Sequence, residues 1–329
     1  MLVIWGMASV ASAGSLLING AGATFPYPIY SKWFDEYTKV NPDVRINYQS
    51  IGSGGGIKQI TANTVDFGAS DGPMTQEQLT AAPGRLYHIP TVMGADVLAY
   101  NLPGVGKGLK LTPDVLADIF LGKITEWNDS RIASVNPGIN LPASSIIVVH
   151  RSDGSGTTYI FVDYLSSVSA EWKNKVGKGT SVNWPVGLGG KGNEGVAGVI
   201  KQTPGSIGYV ELAYAEHNNL PFAFMQNKSG NFIESTLAST SKAAEGVPMP
   251  DDFRVSIVNS PNSDAYPIAS FTWLLIYKDM PDPVKGKAIV EFIKWAIHDG
   301  QKYAGDLLYA SLPSNVVDLI DKKLEHVKY

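Results

Sequence analysis

No cysteine occurs in the 329 residues. Its absence removes disulfides, thiol nucleophiles, cysteine-ligated zinc, iron–sulfur clusters and an N-terminal lipid-bearing cysteine together. Charge is also scarce: Asp, Glu, Lys and Arg make up 17% of the chain, below the roughly 25% of an average soluble domain. With 26 basic against 30 acidic residues the net charge is −4, so no broad positive field exists to gather nucleic acid or anionic lipid. The five histidines (88, 150, 217, 298 and 326) show no ligand spacing, and no metal is expected. No stretch approaches the roughly 18 uninterrupted apolar residues of a membrane span.

What remains is apolar and glycine-rich. Hydrophobic residues are 44% of the chain, which argues against disorder, and the length favours two domains. Residues 2–10 form a short apolar run followed by Ala11-Ser12-Ala13, the pattern of a secretory signal with Gly14 as mature start. No Lys or Arg precedes that run, and a buried strand is the alternative reading. Residues 1–13 are therefore set apart from the fold as a signal remnant, and the protein is expected to be exported and soluble.

Strand and helix patterns alternate along the whole chain. Val44, Ile46 and Tyr48 alternate with polar residues, a half-buried strand. Ile146-Ile147-Val148-Val149 and the run from Phe271 to Tyr277 read as strands buried on both faces of a parallel sheet. Thr112-Pro113 opens a helix that Gly122 stops, Thr75 to Gln78 is a capping box, and Pro283 opens a helix ending near Gly300. This is an α/β pattern with mostly parallel sheets.

Two segments echo one another. Strand 44–48 leads to Gly52-Ser53-Gly54-Gly55-Gly56 and a helical stretch from Ile57. Strand 146–149 leads to Gly154-Ser155-Gly156-Thr157-Thr158 and a helix over Tyr159 to Val168. Each pair sits where a strand's C-terminal end meets a helix N-terminus, the place where open α/β sheets bind ligands. Free N–H donors and a partial positive charge make such an end an anion site, and serine or threonine adds hydroxyl donors. Ordinary capping explains either serine taken alone. Arg151, at the end of the second strand, can hold an oxyanion bidentately, with Asp153 to orient it. Asp71 closes the short apolar strand Val65–Ser70 and by itself reads as a turn aspartate.

Gly20-Ala21-Gly22-Ala23-Thr24-Phe25-Pro26, Tyr48-Gln49-Ser50-Ile51-Gly52-Ser53, Asn63 to Asp71 and Arg151 to Thr157 resemble the ligand-contacting segments of the phosphate-binding proteins of bacterial high-affinity phosphate ABC transporters. The likeness runs on through Trp184 to Asn193, Gly208-Tyr209-Val210-Glu211 and Tyr309-Ala310-Ser311-Leu312-Pro313, and so spans essentially Gly14 to Leu312 in order. It implies that Thr24 (hydroxyl and N–H), Phe25 (N–H), Ser53, Asp71, Arg151, Ser155, Gly156 (N–H) and Thr157 hold phosphate, with Asp153 as partner of Arg151. Asp71 would accept the phosphate's proton, which sulfate lacks, and so reject sulfate as a buried like-charge contact. The chain departs from the family at its start, which lacks a basic residue. It departs again at His150, where a second basic residue is common.

Enzyme patterns fit poorly. Ile51 and Asp153 stand where a G-x-S-x-G elbow needs glycine, and Gly190-Lys191 is followed by glycine rather than the hydroxyl residue of a P-loop. Gly187-x-Gly189-x-x-Gly192 satisfies a dinucleotide pattern, with Glu211 about 20 residues on, but Pro185 breaks the strand that should precede it. A phosphatase or a binder of another oxyanion remain as alternatives. The expected architecture is a two-lobed periplasmic-binding-protein fold, lobe I from 14–90 plus 260–329 and lobe II from 91–259. Phosphate is expected in the cleft, with no catalytic residue and no cofactor. The resemblance further implies a soluble monomer that docks on an inner-membrane permease.

Overall fold

The structure, a computed structural model, describes residues 15–329; the signal-like segment 1–13 lies outside the described residues. The first part of the chain runs β1 (Leu16–Gly22), α1 (Tyr27–Val40), β2 (Val44–Ser50), α2 (Ser53–Thr61), β3 (Phe67–Ser70), α3 (Gln76–Ala81) and β4 (Leu86–Asn101). It continues through β5 (Lys110–Leu111), α4 (Pro113–Phe120), α5 (Ser130–Val135), β6 (Ile147–Arg151), α6 (Gly156–Val168), α7 (Ala170–Lys175), β7 (Leu188–Gly190), α8 (Gly192–Gln202), β8 (Ser206–Glu211) and α9 (Leu212–His217). The last part holds β9 (Phe224–Gln226), β10 (Phe232–Ile233), α10 (Leu237–Ala244), β11 (Ala269–Tyr277), α11 (Pro283–Ile297) and α12 (Ser314–Leu324).

Eight strands form one sheet in the order β2-β1-β3-β11-β4-β8-β6-β7. The outer strands on each side are parallel: β2, β1 and β3 at one end, β8, β6 and β7 at the other. This is the two-lobed α/β architecture expected. β11 is buried along its whole length as its apolar run predicts, yet it lies antiparallel to both β3 and β4. A continuous apolar run encodes burial on two faces, not direction. β4 joins the two ends. It pairs with β11 over Leu86–Ala95 and with β8 over Asp96–Asn101.

Each end packs on its own aromatic cluster. Tyr30, Phe34 and Tyr37 on α1 meet Tyr48, Phe67 and Phe292, and the Trp33 indole N–H donates to Gly300 O at 2.7 Å. In the other half Phe161 and Trp184 stack on Tyr209, and Phe120 meets Phe161 edge-on. The helix signals hold with small adjustments. Thr75 and Gln78 form the capping box, and α2 begins at Ser53 rather than Ile57. The Thr112 hydroxyl bonds the Asp114 carboxylate rather than a helix N–H. Among the described residues no helix is long and apolar enough to cross a membrane.

Candidate functional site: a cradle of hydroxyls, N–H groups and one carboxylate

The two echoing loops meet face to face. Gly54 N–H donates to Gly154 O at 2.8 Å, and a Cβ on either glycine would press the other's Cα at about 3 Å. Gly156, the first residue of α6, lies against Asp71 and Ser53, and a Cβ there would collide with both side chains. Ser53, Asp71, Ser155, Thr157, Thr24, Phe25 and Arg151 are all buried. The residues singled out in the sequence therefore converge on one place.

Their hydrogen bonds decide which protons remain available. The Asn193 side-chain amide donates to Thr24 Oγ1 at 2.8 Å and to Thr157 Oγ1 at 3.0 Å, and its own oxygen accepts the Glu211 N–H at 2.9 Å. Because Asn193 fills lone pairs on both threonine hydroxyls, each keeps its O–H for another acceptor. Ser155 caps α6, its Oγ accepting the Thr158 N–H at 2.9 Å, so the capping role foreseen for it is real and its own proton is still free. Gly156 and Thr157 are the first residues of that helix, where main-chain N–H groups have no partner within the helix.

Arg151 is fixed by Asp153 through Nε at 2.8 Å and Nη2 at 2.6 Å, and its Nη1 donates to Thr157 Oγ1 at 3.2 Å. Of its five N–H groups two are left uncommitted. Burial works against the Arg151 charge, but the Asp153 pair outweighs it and holds the guanidinium above its usual range. Burial alone would raise Asp153, yet Arg151 and the Gly192 N–H keep its carboxyl below the ordinary value. His150 faces elsewhere: its ring stacks on Trp184 at 4.8 Å, and burial lowers its pKa.

Asp71 is the acidic group among them that Arg151 does not hold. Its Oδ1 accepts from Thr272 Oγ1 at 2.7 Å, its N–H donates to Ser53 Oγ at 3.1 Å, and Ser53 Oγ lies 3.4 Å from Oδ2. Burial pushes the carboxyl up to about 7, against the pull of Thr272, Arg151 and Ser53. Thr272 had no signal of its own in the sequence beyond membership of a buried strand. The ladder beside it is irregular: β4 carries one extra residue, Thr91, between Pro90 and Val92, which β11 skips. Proline has no N–H for the ladder, and bulges redirect neighbouring side chains. Asn193 and three tyrosines were likewise not singled out. Tyr48, Tyr214 and Tyr309 donate to the carbonyls of Ala23 at 2.8 Å, Thr24 at 2.6 Å and Phe25 at 2.7 Å.

A family description, the PBP superfamily domain, matches residues 9–299. A phosphate-binding protein PstS of Xylella fastidiosa (strain 9a5c) is 48% identical over 316 residues, covering 95% of this chain and 86% of its own. Two solved structures share the fold. One is a high-affinity periplasmic phosphate-binding protein with phosphate bound, at TM-score 0.75 and 20% identity over 93% of each chain. The other is a phosphate-binding protein of Stenotrophomonas maltophilia, at TM-score 0.68 and 19% identity over 94% of each chain. The chain belongs to the PstS phosphate-binding proteins of the PBP superfamily.

Proposed function

We propose that this protein captures inorganic phosphate between two lobes and delivers it to the permease of an ABC transporter. The observation that carries this is the proton inventory of the site. Three hydroxyls, Thr24, Ser155 and Thr157, have oxygens occupied by N–H donors and protons free. Two Arg151 N–H groups and the first turn of α6 add donors, and one carboxylate not tied to Arg151, that of Asp71, stands among them. Such a set suits a tetrahedral oxyanion that still carries one hydrogen. Thr24, Phe25, Ser53, Arg151, Ser155, Gly156 and Thr157 donate to its bare oxygens, and Asp71 accepts its proton. Hydroxyls that accept from an amide and from helix N–H groups are arranged as donors rather than as activated nucleophiles, and we read the protein as a binder, not a catalyst.

Lobe I comprises 14–90 and 260–329, and lobe II 91–259. The change of partner along β4 after Ala95 supports a division in this region. Closure of the lobes buries the ion, and the closed monomer docks on the inner-membrane permease from the periplasm. Equilibrium dialysis with labelled phosphate, with sulfate as competitor, tests the reading. Tight binding of one phosphate per chain, undisplaced by a large excess of sulfate, is expected. Equal displacement by sulfate, or release of phosphate from a phosphoester, would overturn it.

A further inference from the structure

Three successive carbonyls, those of Ala23, Thr24 and Phe25, each receive a hydrogen bond from a different tyrosine. The tyrosines come from distant parts of the chain: Tyr48 from β2, Tyr214 from α9 and Tyr309 from the segment before α12. A buried carbonyl needs one partner, and Thr24 O already has one in the Tyr27 N–H at 3.1 Å. The shared feature is instead the peptide unit. The carbonyl of Ala23 belongs to the same peptide as the Thr24 N–H, and the carbonyl of Thr24 to the same peptide as the Phe25 N–H. Resting on the phosphate reading above, we propose that Tyr48 and Tyr214 are positioning residues that hold and polarise the two main-chain donors of Thr24 and Phe25.

A hydrogen bond accepted at C=O draws electron density through the planar peptide and makes its N–H a stronger donor. It also fixes the plane, so the N–H directions are set before the anion arrives. Each phenol has one proton to give, and for each the carbonyl is the nearer partner. Tyr214 lies 3.3 Å from Glu194 and Tyr309 lies 3.2 Å from Glu211, both longer contacts. Burial pushes all three phenols well above their ordinary range, so the donated protons stay in place. Tyr309 provides a built-in control. The peptide of the Phe25 carbonyl ends in Pro26, which has no N–H, so Tyr309 can fix the turn but has no donor to strengthen.

The test uses Tyr48→Phe, Tyr214→Phe and Tyr309→Phe, each of which keeps the ring and removes one hydroxyl. Phosphate affinity is measured for each, with the melting temperature of the empty protein and the amide proton shifts of Thr24 and Phe25 in the loaded protein. Losing one hydrogen bond's worth of donor strength should cost about 5- to 10-fold in affinity for Y48F and Y214F, and about 2-fold or less for Y309F. Y48F should move the Thr24 amide upfield and leave Phe25 in place, and Y214F should do the reverse. Equal losses in all three variants, unmoved amide shifts, or wild-type affinity in Y48F and Y214F would overturn the inference. Wild-type protein that bound no phosphate would instead overturn the proposed function, and this inference with it.

Discussion

Asp71 concentrates the chemistry of the site in one group. With its carboxyl pushed up to about 7 by burial, it is a neutral acid below that pH and a carboxylate above it. The neutral form offers an O–H to any oxyanion, whereas the ionised form repels one that has no hydrogen to donate. Sulfate should therefore compete with phosphate better at pH 5.5 than at pH 8.5, and a competition profile that is flat across this range would remove Asp71 from the selectivity role. Asp71→Asn, permanently neutral and able to donate, should accept sulfate at every pH. Arg151→Ala is predicted to weaken phosphate binding by about 100-fold or more, since it removes charge-assisted donors and leaves the half-buried Asp153 without its cation. Binding isotherms with circular dichroism as a folding check would measure this, and unchanged affinity would exclude contact.

At the scale of elements, the site is built from chain turns that each end a strand and begin a helix. Gly156 opens α6 in a conformation any residue can adopt, and alanine would even favour the helix. Its Cβ, however, would occupy the space of Asp71 and Ser53. Gly156→Ala should leave the melting temperature of the empty protein within a few degrees while weakening phosphate binding by about 100-fold. A variant that binds normally would mean the two loops need not come this close. These turns were legible in the sequence because their signals are local: glycine clusters, capping hydroxyls and a strand before them. Thr272 and Asn193 were not legible in the same way. Thr272 reaches Asp71 from far along the chain, out of a strand whose apolar run announces burial but not which side chain it meets. Asn193 acts through Glu211 and two threonines that only the fold brings within reach. The direction of β11 was hidden for the same reason, because pairing partners are set by tertiary packing.

For the whole molecule, the buried carboxyls set how stability responds to pH. Asp96 and Glu211 face one another in the β4–β8 register and are fully buried. Both Asp96 oxygens and Glu211 Oε1 are without a hydrogen-bond partner. Burial, helped by Asp71 and Glu211, holds Asp96 well above the ordinary carboxyl range, and burial does the same for Glu211. In the unfolded chain these acids ionise near pH 4, while the folded chain retains their protons. Above that point the folded state thus holds more protons than the unfolded one, and stability declines with increasing pH. Urea midpoints of the ligand-free protein should fall from pH 5 to pH 8, and Asp96→Asn, neutral in both states, should lessen that fall. An equal slope in the variant would mean that Asp96 is ionised in the fold.

The contact of Gly54 with Gly154 carries one more consequence. Where two side chains touch, an enlarged one can be accommodated by shrinking its neighbour, so that paired changes restore a fit that single changes destroy. Here both partners are already the smallest residue available. A methyl added to either has no compensating deletion opposite it, and second-site suppressors of a lesion at this contact must arise by backbone movement elsewhere.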